Sequence, residues 1–129
     1  MDDLTQKFVN ALGELHRGDD VEPLVALFTD DATLDKAGMP HGQSGKDGAR
    51  TFWEQYRRVF GEIDSTFHNV VTGDGITFLE WTSTGTLTNG SAFSYDGVSV
   101  LESGGEEIEA FRTFYDTAAF LEKQSAIRS

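Results

Sequence analysis

The feature that most constrains the fold of this chain is a change of hydrophobic period near Ser65. Before this point, apolar residues recur every three or four positions, the spacing of amphipathic helices, and after it they recur every second position, the spacing of strands. Glycine-containing turns at residues 73–75, 89–90 and 103–105 divide the second region into four segments. The pattern predicts consecutive antiparallel strands joined by short turns.

The four predicted strands cover about a third of the chain. They are Thr66–Thr72, Ile76–Leu87, Ser91–Glu102 and Glu107–Asp116. Several of these segments carry apolar residues on both faces, so we expect one face to pack on the helices and the other on a second subunit. The last strand ends in a carboxylate, Asp116.

Three helices are predicted before the strands. The first spans residues 2–17, with Asp2 or Asp3 as its cap and Gly18 at its end. A short second helix begins at Asp20 and buries Leu24, Leu27 and Phe28, and a few extended residues, 32–35, follow it. Ser44 and Asp47 have the spacing of a capping box, which opens a third helix that ends at Gly61.

This order of elements predicts an α+β domain in which three N-terminal helices pack on the concave face of a curved, mainly antiparallel sheet. A chain of 129 residues suits one domain, residues 1–129. The absence of cysteine excludes disulfides, thiol nucleophiles and cysteine-based zinc sites. No basic leader or long apolar run is present, so we expect a cytoplasmic protein that does not enter membranes.

The charge of the chain argues against polyanionic partners. Ten basic residues oppose 22 acidic ones, which gives a net charge of −12. Nucleic acid and anionic membranes carry the same sign of charge, so neither is an expected partner.

Several segments together resemble a known family. They are residues 24–34, residues 44–49 with Phe52 and Trp53, the turn at residues 73–75, residues 81–86 and residues 112–116. The chain is similar along nearly its whole length to the SnoaL-like branch of the nuclear transport factor 2-like superfamily. The resemblance implies a cystatin-like cone or barrel, a mostly apolar ligand-binding pocket in this cone, and a homodimer packed through the outer face of the sheet. The superfamily includes polyketide cyclases, ketosteroid isomerases, epoxide hydrolases, dehydratases and binding modules without catalytic activity, so the fold does not fix the function.

Steroid isomerisation does not fit the residues. The ketosteroid isomerases need an aspartate base, a tyrosine on the first helix and a protonated aspartate on a later strand. Lys36 falls on the position of the base, with Asp35 one residue before it, and Phe8 stands in the place of the tyrosine. Asp96 alone matches its counterpart, so we reject this reaction.

The polyketide cyclase members of the family imply an aspartate that acts as acid and base without metal or cofactor, and Asp116 is the best match. Its neighbours Phe114, Tyr115 and Phe120 would partly desolvate it and raise its pKa. In the alternative interpretation, Asp116 caps a helical turn over Thr117–Leu121.

Three other residues complete the set of acid–base candidates. Asp96 shares a strand face with Val98 and Val100, an apolar row that suggests the interior of the cone. His68 and Asp35 would assist, although a lone histidine on a strand is more often structural. His16, near a helix end, is explained by the helix dipole, and no histidine has a partner at metal-site spacing. Arg112 is expected to pair with a carboxylate.

Trp53, Tyr56, Trp81 and Tyr115 are candidates for the wall of a substrate-binding cavity, although aromatic residues at these spacings are as often core. The sequence therefore predicts a protein that binds a hydrophobic, oxygenated small molecule in its cone. Two possibilities stay open: cofactor-free cyclisation, isomerisation or dehydration, and a binding or dimerisation module without catalysis.

Overall fold

The structure, a computed structural model, describes residues 1–39 and 41–117. In this part of the chain it contains three helices and six strands, and the predicted α+β cone is confirmed. The helices are α1 (Asp3–Gly18), α2 (Glu22–Val25) and α3 (Gly45–Arg58). The strands are β1 (Phe28–Lys36), β2 (Gln43–Ser44), β3 (Phe60–Gly73), β4 (Ile76–Leu87), β5 (Ala92–Glu102) and β6 (Ile108–Tyr115).

The ends of α1 are those that the sequence predicts. The Asp2 carboxylate accepts a hydrogen bond of 2.8 Å from the backbone N–H of Thr5, which satisfies one of the free donors of the first turn. After Gly18, Asp19 adopts a left-handed conformation and donates its N–H to the carbonyl of Leu15. Thr5, Phe8, Leu12 and Leu15 then form the buried face of the helix.

Strand β1 explains two local predictions that are wrong. Phe28 begins this strand instead of belonging to α2, because it pairs with Ile108 of β6 and lies fully buried in the core. Ser44 makes no side-chain capping bond at the start of α3. Its backbone pairs instead with Thr33 of β1, so tertiary pairing overrides the local capping signal.

The sheet has the strand order β2-β1-β6-β5-β4-β3. The predicted four-stranded meander is confirmed as β3 to β6, and β1 joins its β6 edge as a parallel strand. The first strand of the meander begins at Phe60 rather than Thr66, because its pairing with β4 continues to Leu87. A bulge between Phe67 and Asn69 shifts the register of β3.

The core fills the space between the helices and the inner face of the sheet. Phe8 of α1, Trp53 of α3 and Phe111 of β6 meet there with ring centroids 5.1–6.0 Å apart. Edge-to-face and tilted contacts of this kind are favourable for aromatic rings. Within the described ranges, no helix is both long and apolar enough to cross a membrane.

Candidate functional site

The cone contains a cavity with two adjacent chambers that share part of their walls. The inner chamber has a volume of about 40 Å³ and lies against Phe8, Leu12 and Phe52. The outer chamber has a volume of about 170 Å³ and lies at the mouth, beside Lys36, Phe60 and Tyr115. Both chambers share Tyr56, Trp81, Tyr95 and Thr113 in their walls. The inner one has room for roughly three water-sized groups, so the outer chamber offers the space for a ligand.

Larger concavities lie outside the cone, and two of them exceed the outer chamber more than twofold in volume. One, of about 390 Å³, includes Asp19 and Arg57, and these two side chains form an ion pair with N···O 2.8 Å. The other, of about 420 Å³, runs along α1 past Asn10 and Glu14. Both are lined largely by polar side chains at the surface, whereas small-molecule sites are concave and mostly apolar. The cavity in the cone is therefore the better candidate site.

Trp81 forms the floor of the cavity because its partner on β5 is a glycine. Trp81 and Gly97 are directly paired in the sheet, and a Cβ atom on Gly97 would lie 2.3 Å from Cζ2 of the indole. The missing side chain lets the indole lie across β5, where its Nε1 donates a hydrogen bond of 2.9 Å to Ser99 Oγ. The ring also packs edge-on against Tyr95.

Small hydroxyl groups interrupt the aromatic wall. Ser99 Oγ shares a hydrogen bond of 2.9 Å with Thr113 Oγ1, which extends the chain that starts at Trp81 Nε1. Ser65 Oγ and Ser83 Oγ lie 2.6 Å apart across β3 and β4. These groups are neutral at every ordinary pH, so they can bind an oxygen atom of a ligand without introducing charge.

His16 of α1 and Tyr56 of α3 form a hydrogen-bonded pair, of which Tyr56 lines both chambers of the cavity. His16 Nε2 and the Tyr56 hydroxyl share a hydrogen bond of 2.7 Å. Burial, helped by the charge of Arg57 and opposed by that of Asp64, lowers the pKa of His16 from 6.5 to about 4. The imidazole is therefore neutral at pH 7.

The tyrosines of the cavity are neutral as well. Burial raises the pKa of Tyr56, Tyr95 and Tyr115 above the usual value of 10, and at Tyr95 the neighbouring Tyr115 adds to the effect. Among the described residues that line either chamber there is no carboxylate. The walls of the cavity therefore consist mainly of apolar surface and uncharged hydrogen-bonding groups.

The aromatic candidates from the sequence lie at this cavity. Trp53 lines the inner chamber, Tyr115 the outer one, and Tyr56 and Trp81 line both. Their role in substrate binding stays a prediction.

The expectation that Asp96 points into the cone is wrong. The alternation of β5 was correct, since Asp96, Val98 and Val100 do share a face, but that face is the outer one. On it, Thr82 Oγ1 donates a hydrogen bond of 2.5 Å to Asp96 Oδ1 and lies 2.8 Å from His68 Nε2. His68 is thus also an exposed residue of the outer face, and neither residue lines the cavity.

Asp35 and Asp116 do not line either chamber. Asp35 is exposed and lies against Gly42, since a Cβ atom at Gly42 would be 2.1 Å from its Oδ1. Asp116 is exposed just after the end of β6. Phe120, its expected neighbour, lies outside the described residues. So does the helical turn that Asp116 was predicted to cap, apart from Thr117. Arg112 forms the expected ion pair, with Glu102 of β5.

Sequence reasoning missed the polar part of the site. The hydroxyl groups of the cavity wall could have been predicted from the alternation of serine and threonine with large apolar residues on β3 to β6. The signal for His16 was its place one helical turn after the buried Leu12. Within residues 1–39 and 41–117, no group of three or more His, Asp and Glu side chains could hold a metal ion.

Solved structures with this architecture are numerous and distant in sequence. A putative isomerase from Rhodopseudomonas palustris has a TM-score of 0.85 at 13% identity, with 98% of each chain covered. TerC, co-crystallised with polyporic acid, has a TM-score of 0.80 at 15% identity, covering 95% of this chain and 98% of TerC. An epoxide hydrolase from M. tuberculosis, described as LEH-like, has a TM-score of 0.71 at 15% identity, covering 93% and 85%.

These similarities establish the fold, because identities this low carry no information about the reaction. No curated protein matches the sequence. Residues 5–111 do match a family defined by its SnoaL-like domain, which covers both α1 and most of the sheet. Together with the cone and its cavity, this match shows that the chain belongs to the SnoaL-like domain family.

Proposed function

We propose that this protein binds a small, hydrophobic, oxygenated molecule in the outer chamber of the cone. The observation that carries the proposal is the composition of the wall, in which Trp81, Tyr95 and Tyr115 surround a space of about 170 Å³. Aromatic rings offer a large apolar contact area, and the hydroxyl of Thr113 offers a neutral partner for a ligand oxygen. The complex of TerC with polyporic acid supports the same use of the fold.

Cofactor-free acid–base catalysis is less well supported than binding. Tyr56 lines both chambers and shares a hydrogen bond with His16, so a bound molecule could exchange a proton through this pair. However, a histidine with a pKa of about 4 is a weak base at neutral pH, and catalytic bases work best with a pKa near the working pH. The site therefore favours holding and polarising a ligand over removing a proton from it.

A titration with 1-naphthol, a neutral bicyclic alcohol, tests the binding proposal. We expect isothermal titration calorimetry to give one site per chain with a micromolar dissociation constant. Thr113→Phe places a large side chain in the wall of both chambers and should weaken binding at least tenfold. Thr84→Phe, on the exposed outer face, is the matched control and should leave the affinity unchanged.

Two results would contradict this proposal. Absence of binding by the wild-type protein would show that the cavity does not accept such molecules. Equal affinity in wild type and Thr113→Phe, with both folded by circular dichroism, would mean that 1-naphthol binds elsewhere.

We also propose that two copies of the chain pair through the outer face of the sheet. Val71 of β3, Phe78 of β4 and Phe114 of β6 are 64%, 49% and 52% exposed on this face. In the sheet, Phe78 pairs with both Val71 and Val100, and Phe114 pairs with Val98. These apolar side chains therefore form one patch rather than scattered positions. Contiguous exposed apolar patches mark interaction surfaces.

Light scattering tests this pairing directly. The wild-type protein should have about twice the 14.2 kDa mass of the chain at micromolar concentration, and Phe78→Ser should shift it toward the monomer. Val59→Ser, which removes an exposed apolar side chain away from this face, should not change the mass. A wild-type mass of 14.2 kDa would refute the proposal.

A further inference from the structure

A lysine occupies the mouth of the otherwise uncharged cavity. Lys36 is the last residue of β1 and alternates with Leu34, a fully buried residue, so its side chain lies on the inner side of the strand. It lines the outer chamber beside Thr113, its register partner on β6. Asp35, which was expected to serve as a base, lies on the opposite face because of the same alternation.

Lys36 differs from the other residues of the wall in its charge. Among the described residues that line the two chambers, it carries the one formal charge. No described carboxylate lies within 4 Å of its ammonium group, whereas Arg50, Arg57 and Arg112 all have acidic partners. The protein has 22 acidic residues available for pairing, and yet this lysine faces aromatic and hydroxyl groups.

An ammonium group in such surroundings favours an anionic partner. The aromatic walls displace part of its water, and the attraction between opposite charges grows as the local polarity falls. A carboxylate or ionised enol on the ligand would replace this lost hydration with charge-assisted hydrogen bonds to the ammonium. A neutral ligand of the same shape would not form these charge-assisted bonds.

We infer that the cavity selects planar aromatic molecules that carry an anionic oxygen, with this oxygen at Lys36 and the rings beside Trp81, Tyr95 and Tyr115. The inference rests on the proposed binding function and narrows its ligand class. Lys36 acts as the specificity-determining residue. The overall charge of −12 opposes anions in general, so the selection depends on this one local group.

The test compares 1-naphthoate with 1-naphthamide, which have nearly the same shape but differ in charge. Calorimetry at low salt should show about tenfold tighter binding of 1-naphthoate to the wild-type protein. Lys36→Met, which keeps the length of the side chain, should remove this preference by weakening the binding of 1-naphthoate. Lys36→Arg should retain the preference, and Lys7→Met, an exposed lysine on α1, should leave it unchanged.

The possible failures separate the inference from the function on which it rests. If both ligands bind with equal affinity and Thr113→Phe weakens both, the cavity binds small molecules but does not select anions. If Lys36→Met keeps the tenfold preference, another group recognises the anion and the inference is wrong. If neither ligand binds, the proposed function itself fails.

Discussion

Replacement of Gly97 by alanine is expected to destabilise the protein by about 3 kcal/mol and to abolish ligand binding in the cone. The new Cβ atom would lie 2.3 Å from Cζ2 of Trp81 and 2.7 Å from the carbonyl oxygen of Phe114. Carbon atoms pack at about 3.5–4 Å, so the indole or the β5–β6 pairing must move. Trp81 is 8% exposed and packed against Tyr95, so it has little room to yield.

A double-mutant cycle distinguishes this steric mechanism from a general loss of stability. Trp81→Phe removes the atoms that clash, so Gly97→Ala should cost clearly less in the Trp81→Phe background than in the wild type. Urea unfolding at fixed pH measures the four free energies of unfolding. If the cost of the alanine is the same in both backgrounds, contact with Trp81 is not its cause.

A second large effect is expected from His16 as the pH is lowered. Its pKa is about 4 in the folded protein and 6.5 when exposed, so the unfolded chain binds more protons between these values. The stability that neutral His16 contributes is fully present above pH 6.5 and is lost as the pH falls to 4. The shift corresponds to about 3 kcal/mol over this window.

Unfolding measured from pH 7.5 to pH 4 in the wild type and in His16→Gln would test this expectation. Glutamine can keep a hydrogen bond to Tyr56 but does not titrate, so the variant should lose much less stability over the same range. His41→Gln alters an exposed histidine and should follow the wild type. If the stability of wild type and of His16→Gln falls equally with pH, groups other than His16 cause the acid sensitivity. The contributions of the carboxylates are the same in both proteins and cancel in this comparison.

The sequence was sufficient to predict the architecture because two strong signals agree. The period of apolar residues changes at the end of the helical region, and Gly75 and Gly90 adopt the positive φ angles that tight hairpin turns require. By contrast, Phe28 was assigned to a helix because its neighbours have helical spacing. Its parallel pairing with Ile108 is a contact over 80 positions, which no local pattern contains.

The site was predicted less well because alternation defines two faces without saying which one is inside. Asp96, Val98 and Val100 look like an interior row, but the outer face of this sheet is itself apolar around Phe78 and Phe114. Asp35 and Lys36 are neighbours on β1 and so lie on opposite faces, and the sequence does not say which face is inside. Asp35 was preferred because a carboxylate was expected to act as the base. Large aromatic side chains extend into the cone from several elements. The prediction that they line the cavity therefore depended less on knowing which strand face is inside, and it named Trp53, Tyr56, Trp81 and Tyr115.

Both tryptophans of the chain line the inner chamber. Their surroundings differ, since Trp81 Nε1 donates to Ser99, whereas Trp53 Nε1 is buried without a partner among the described residues. The ultraviolet emission of this protein therefore originates almost entirely from the walls of its cavity. An unlabelled sample already carries a spectroscopic probe of whatever enters the cone.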